Sequence, residues 1–451
     1  MGLDKWSCSG CVALGVAARL ALFQLKSLLS YLMTRVELQT PASSWESMEE
    51  GTFLYQRGIS PYQGSLFHNQ PLLLKFFVQL QTISSVVNID LPFVFILICD
   101  VLTGYSLFKC CESFLESRME EEKQLANTEY DKDAYKCFSA NRRTPEASAK
   151  IVTLAYLLNP FTIISCACKT TLPIEHMLYA RLILFCLRKN LYGASVILSL
   201  ATYLFMWPLL LWVPVSYLFS ETPRSNDGQL KKQCSVTSLI NGSVVFCILA
   251  AMTAFLMVAS YYSCNESTDF FFSTWGFQFI IPDLQPNVGL HWYFYMEMFD
   301  QYRTFFTLMI NSITLLICIP LCWKFADNRI APVYSAMYFI AIYKSYPTFG
   351  DVSLCLALVP MIAQNFSLMR NLLFTFLLFL ACLASMPAMY HVWVVTFNPN
   401  FFYAISLIYG TVQMLIWSDV IFSMNRREFL YRNGLKYPLD EDGNLKKFTL
   451  M

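Results

Sequence analysis

Charge is what this sequence has least of. Asp, Glu, Lys and Arg make up 14% of its 451 residues, where a soluble domain carries about a quarter. With 32 basic and 31 acidic residues the net charge is +1, so there is no basic field to meet nucleic acid. Histidine is scarce: His68, His176, His291 and His391 lie on distant segments. None stands with a nucleophile and an acid, so no catalytic triad is visible. No glycine-rich phosphate loop appears, and no cofactor motif. Sixteen cysteines are present, but most sit inside apolar runs (Cys99, Cys186, Cys247, Cys318, Cys355, Cys382), where the thiol acts as a small hydrophobe. Cys8 and Cys11 have C-x-x-C spacing without the second pair or histidines of a zinc site, so no metal is expected.

What is abundant is apolar sequence, 56% of the chain with a mean hydropathy of +0.45. A helix crossing a bilayer needs about 20 apolar residues, and only helices or closed barrels can span. The runs do not alternate as barrel strands do, so the fold class is an all-α membrane protein. Spans are expected at about 8–32, 91–111, 149–168, 172–187, 192–206, 207–220, 236–262, 303–324, 330–344, 351–367, 371–392 and 401–424, twelve in all. The first lacks a cleavage site and reads as a retained helix. The run 71–87 carries Lys75 and reads as embedded or interfacial.

Twelve spans divide the connections into two sets. One holds Arg118, Lys123, Lys132, Lys136, Arg142, Arg143, Arg188, Lys189, Lys231, Lys232 and the basic tail; the other is poor in cations. The positive-inside rule then places both termini and the 112–148 loop in the cytosol. Residues 1–424 form one polytopic domain, with long far-side connections at 33–90 and 263–302 and a solvated tail at 425–451. The mixed charge of 112–148 also reads as a solvated connector.

A few polar residues interrupt the apolar runs, where ionisable groups are costly and mark function by default. Asp100 suits either a buried partner or a functional role, and Arg181 can snorkel to the nearby cytosolic face. Lys344 ends a far-side run and precedes Ser345-Tyr346-Pro347 and Asp351. Its ammonium could meet an anionic phosphate or pair with Asp351. Asn398-Pro399-Asn400 opens the last run. Its amides could cap the helix, form an Asx turn, or hydrogen-bond a headgroup or sugar. Of the sequons at Asn241, Asn265 and Asn365, only Asn265 falls in a far-side loop, so it is the candidate glycan acceptor. The aromatics Trp275, Trp292, Tyr293, Tyr295 and Tyr302 form either an interfacial belt or the wall of a lipid pocket.

SSWESMEEG at 43–51 and GISPYQGSLFHNQPLL resemble the lumenal loop of multispan glycosyltransferases that use dolichol-phosphate sugars. The acidic pair of that group is missing, because Glu46, Glu49 and Glu50 stand out of register. The fuller resemblance, over nearly the whole chain, is to the PIG-U family of subunits of the glycosylphosphatidylinositol (GPI) transamidase. It is carried by IPDLQPNVGLHWYFYMEMF at 281–299, KSYPTFGD at 344–351, NPNFFYAISL at 398–407, SSWESMEEG and LLNPFTIISC at 157–166. The resemblance implies a glycosyltransferase-C-like membrane domain in the endoplasmic reticulum, with the far side as its lumen. It also implies a non-catalytic role in binding and positioning the GPI lipid. The caspase-like chemistry would lie in the partner PIG-K, beside PIG-T, PIG-S and a GAA-type subunit. Carried over by position, the GPI contacts fall on Lys344, Asn398 and Asn400, with Pro399 a departure in the spacer. A basic cluster for anionic phospholipid falls on Lys231 and Lys232. The alternative is a lumenal dolichol-phosphate-sugar-dependent mannosyltransferase relying on the three glutamates.

Overall fold

The structure, a computed structural model, describes residues 8–126, 130–139, 144–219, 236–325 and 330–434. Among these residues all regular structure is helical. The helices in chain order are α1 (Cys8–Gln24), α2 (Lys26–Met33), α3 (Trp45–Gln56), α4 (Pro71–Val87), α5 (Leu91–Ala126), α6 (Lys132–Phe138), α7 (Pro145–Leu157), α8 (Pro160–Ala167), α9 (Leu172–Leu187) and α10 (Leu191–Phe205). A 3₁₀ turn, Trp207–Leu211, leads to α11 (Trp212–Leu218) and α12 (Val236–Ser263). The short α13 (Asp269–Phe271) and α14 (Phe277–Ile280) flank a π turn, and α15 (His291–Met296) and α16 (Asp300–Lys324) follow. Last come α17 (Ile330–Tyr343), α18 (Ser353–Leu358) with its 3₁₀ extension Val359–Leu368, α19 (Leu372–Thr396) and α20 (Asn400–Asn433).

Local chemistry sets many of the helix starts. Side chains of Ser44, Thr144, Asn159 and Asn190 accept from backbone N–H groups of the turns they open, satisfying donors that have no partner inside the helix. Pro71, Pro145 and Pro160 stand in first turns, where a missing N–H costs nothing.

Five helices (α5, α12, α16, α19, α20) are long and apolar enough to cross a membrane. Two bent pairs, α1–α2 at 87° and α7–α8 at 52°, raise the number to seven. The remaining expected spans are helical but short. The 14 residues of α17 rise about 21 Å, less than the roughly 30 Å hydrocarbon core. Instead α17 is buried from Ile330 to Ile342 on every face and forms the centre of the bundle. The outer helices show the opposite pattern. Phe255, Phe305, Leu316, Trp323, Leu373 and Phe374 are each more than 60% exposed, an apolar face far larger than a water-facing protein tolerates.

Two expectations change here, and a third segment bends at the Asn159-Pro160 turn its sequence carries. The segment 8–32 is not one straight helix; it turns by 87° at Leu25, just before Lys26. The segment 149–168 breaks at Asn159-Pro160, because proline disfavours helical backbone in the residue before it. The mixed charge of 112–148 does not mean solvation. Helix α5 continues to Ala126, and Glu122 is buried against Arg427 of α20 at 2.7 Å. Arg427 also donates to the Phe138 carbonyl at 2.7 Å, and the Tyr431 hydroxyl donates to the same carbonyl at 2.8 Å. Helix α20 thus runs past 424 to Asn433, and residues 435–451 lie outside the described part.

A buried polar network closes the α7–α8 break. Arg19 on α1 is fully buried and ion-paired with the equally buried Asp100 on α5. Its guanidinium also donates to the Leu157 carbonyl at 2.7 Å, one of those the break leaves without a helical partner, and to Thr162 at 3.3 Å. The Tyr156 hydroxyl donates to Asp100 at 2.7 Å and lies 3.1 Å from His176 Nδ1 on α9. Arg181, one residue past the middle of α9, is half-buried.

Candidate functional site

The two long connections fold onto one another at one end of the bundle. His68 Nδ1 is 2.8 Å from the Ser273 carbonyl, and its ring stacks on Phe277 with centroids 3.4 Å apart. Gln70 donates to Thr274 at 3.1 Å, and Ser273 donates to the Tyr62 carbonyl at 2.9 Å. Burial pushes the His68 imidazole below its usual pKa and the Asp283 carboxyl above its own, so His68 stays neutral near pH 7.

This cap sits on the turn after α17. Ser345 donates to the Gln278 carbonyl, and the Tyr346 hydroxyl donates to the Asp283 carbonyl at 2.9 Å. Tyr346 also stacks on Phe277 at 4.6 Å. From the first connection, the Glu37 carbonyl accepts from Phe349 N–H at 3.0 Å. Gly289 is required for this approach: a Cβ there would lie 2.7 Å from the Pro347 ring. A Gly289→Ala variant is expected to push the 281–290 segment off the turn, at about 1–3 kcal/mol for overpacking. Faster limited proteolysis within 281–290 would register that displacement.

Lys344 leads into the turn, but its ammonium is not open to the surroundings. It is ion-paired with Asp351 and lies 3.4 Å from Glu175 of α9, with side-chain exposures of 12%, 4% and 8% for Lys344, Asp351 and Glu175. The second Asp351 oxygen accepts from the Thr348 N–H and hydroxyl at 2.5 and 2.9 Å. The neighbouring cavity is about 10 Å³, room for about one water. One ammonium thus faces two carboxyl groups, and an incoming phosphate would have to displace a carboxylate. Asp351 was foreseeable as a partner. Glu175 was missed, although an acid inside the apolar run 172–187 carried the same signal as Lys344.

Asn398 lies between α19 and α20, Asn400 is the first residue of α20, and both are exposed. Asn398 Oδ1 accepts from the Asn400 N–H at 3.1 Å, the Asx turn that the proline favours. The Asn400 carboxamide faces the Tyr293 hydroxyl, which also meets Glu297. Just before the pair the apolar side chains are bare: Phe397 is 89% exposed and Val395 64%. Behind it lies an aromatic wall in which Trp292, Trp393, Phe402 and Tyr403 pack with centroids 5.7–6.1 Å from Trp292. The Tyr403 hydroxyl donates to the Leu290 carbonyl at 3.0 Å. The single segment 281–290 therefore touches both the turn after Lys344 and the head of α20.

The other candidates separate from this site. Asn265 is exposed in left-handed backbone just beyond α12. Asn365 is buried, and the Asn241 amide is bonded to the Phe219 carbonyl within the bundle. Lys231 and Lys232 lie outside the described residues. Cys11 is buried in α1, and Glu49 accepts from the Trp45 indole.

Comparison with known proteins decides the family. The model of the family described as GPI transamidase subunit PIG-U matches residues 13–409. The chain belongs to the PIG-U family. It is 32% identical over 444 residues to the GPI-anchor transamidase component PIGU of Homo sapiens, covering 96% of each chain. It is 27% identical over 432 residues to the GPI transamidase component GAB1 of Saccharomyces cerevisiae, covering 94% of this chain and 96% of the relative. A GAB1 homolog of Schizosaccharomyces pombe is 27% identical over 384 residues, 84% of each. In this PIG-U family chain, three of the five strings that carried the resemblance meet at the cap: 281–299, 344–351 and 398–407.

Proposed function

We propose that this chain is a non-catalytic component of the GPI transamidase of the endoplasmic reticulum membrane, and that it binds and positions the GPI lipid. The observation that carries the reading is the pair of exposed carboxamides, Asn398 and Asn400, flanked by bare Phe397 and Val395. Amides hydrogen-bond sugar hydroxyls or phosphate oxygens without the cost of burying a charge, and the exposed apolar residues before them suit acyl chains at the membrane edge. Lys344 belongs to the same site as a positioning residue. Held by Glu175 and Asp351, it sets the turn on which the 281–290 segment rests, and it reaches a lipid phosphate only if one carboxylate gives way.

The rest of the proposal follows the family. The chain crosses the membrane twelve times in a glycosyltransferase-C-like fold, with the cap lumenal and both termini cytosolic. The half-length buried helices support that reading, since irregular or short elements are tolerated at membrane depth only inside protein. Partners are PIG-K, which carries the peptide chemistry, PIG-T, PIG-S, the GAA-type subunit and phospholipids, and no nucleic acid. Asn265 carries a glycan, and Lys231 and Lys232 face anionic headgroups. The mannosyltransferase alternative finds no support among the relatives, and substituting Glu46, Glu49 and Glu50 together should leave sugar transfer in cells unchanged.

The test is complementation of cells that lack their own subunit. Asn398→Ala with Asn400→Ala removes two neutral hydrogen-bonding groups at about 0.5–1.5 kcal/mol each, an affinity loss of roughly 5- to 150-fold. Surface display of GPI-anchored proteins should fall while the complex assembles at normal levels. Normal display at normal expression would refute the assignment.

A further inference from the structure

A second cavity lies away from Lys344 and the asparagine pair. It is an open groove of about 450 Å³ between α3, the C-terminal half of α4 and the turn after α8, within the range of small-ligand sites. Its walls mix polar side chains with the apolar faces of Trp45, Phe53 and Pro92, and along the same stretch of chain Ile83, Val87 and Ile89 are each about half exposed. From the structure we propose that this groove binds a hydroxyl-rich ring, a sugar or a cyclic polyol.

Four features point to that chemistry. The Gln56 and Gln81 side chains line the groove and make no hydrogen bond to the described residues, so each offers a free donor and a free acceptor of the kind that brackets neighbouring hydroxyls. Glu49, anchored through one oxygen by the Trp45 indole, supplies a fixed acceptor. Phe53, half exposed, offers a flat apolar face to the C–H side of a ring. Finally, Lys169 adopts φ +54°, a left-handed conformation that favours glycine. That unfavourable backbone places its ammonium 3.2 Å from Asp90 and 4.3 Å from the Trp45 ring, at the edge of the groove.

Charge argues against a phosphate or carboxylate ligand. Glu49 and Asp90 outnumber Lys169, so the groove repels anions and favours neutral hydroxyls or an amino sugar. Two sources supply that chemistry: the glycan core of a glycolipid, or an N-linked glycan on a neighbouring protein.

The test uses the full-length chain purified in mild detergent with its accompanying subunits, and saturation-transfer NMR with two soluble probes. Glucosaminyl-inositol stands for the glycolipid core, and N,N′-diacetylchitobiose for the protein glycan. Transfer to either probe should weaken about tenfold in Gln56→Ala/Gln81→Ala, or about 1.4 kcal/mol, the worth of one or two neutral hydrogen bonds. Because neither glutamine holds the fold together, the variant should purify as the wild type does. In Asn398→Ala/Asn400→Ala the signal should be unchanged, which separates this groove from the proposed lipid site. Whichever probe responds identifies the source. No transfer to either probe, or transfer undiminished in the glutamine variant, would overturn the proposal.

Discussion

Replacing Lys344 by methionine is expected to remove most of the assembled protein, not merely its lipid affinity. The substitution leaves Glu175 and Asp351 facing each other, buried, with no cation between them. Breaking a buried pair by deleting one partner costs about 3–5 kcal/mol, a large share of a typical total stability of about 5–15 kcal/mol. Lys344→Arg keeps the charge, and should retain fold and partial function. The informative variant is triple: Lys344→Met with Glu175→Gln and Asp351→Asn takes the charge away from all three positions. If Lys344 acts by positioning, the triple variant should recover much of the assembled level, read as monodisperse complex after a heat step. If it acts as a direct phosphate contact, assembly should recover while lipid retention stays low. Recovery of neither would mean that the cluster needs its charges for a reason the contacts do not contain.

Arg19 and Asp100 should show a comparable effect through a different mechanism. Arg19→Leu strips Asp100 of its cation and leaves the Leu157 carbonyl at the α7–α8 break without its donor. A loss of about 3–5 kcal/mol is again expected, seen as a lower melting temperature of the purified complex. Asp100→Leu alone should cost as much, because it leaves a buried guanidinium. The double variant Arg19→Leu/Asp100→Leu should be milder than either single one, since a buried pair replaced by well-packed apolar groups is often nearly neutral. Simple addition of the two single losses would show that the residues do not act as a pair.

Hydropathy located the five long apolar helices α5, α12, α16, α19 and α20, because a bilayer demands apolar length wherever the chain enters it, but it did not announce α3, α6 or the short helices α13 to α15. Local rules also worked where the determinant is local. Asn159-Pro160 broke its helix, and Asn398-Pro399-Asn400 formed the Asx turn, since neighbouring residues decide both. What stayed hidden depends on contacts between distant parts of the chain. Arg19 and Asp100 are 81 residues apart, and nothing local to either names the other, although a lone base and a lone acid on two early spans invited pairing. Glu175 was hidden in the same way beside Lys344. The charged stretch after 112 was misjudged because composition does not distinguish charges facing water from charges facing each other, and Glu122 with Arg427 belongs to the second kind. The 87° turn at Leu25 had no glycine or proline to announce it.

The most direct measurement of the central claim is native mass spectrometry of the intact complex, purified in mild detergent, with wild-type chain or Asn398→Ala/Asn400→Ala. Wild-type complex should carry a bound glycophospholipid, and the variant should lose it while keeping every subunit. Equal lipid occupancy in the two complexes would contradict the assignment of the lipid site to the head of α20.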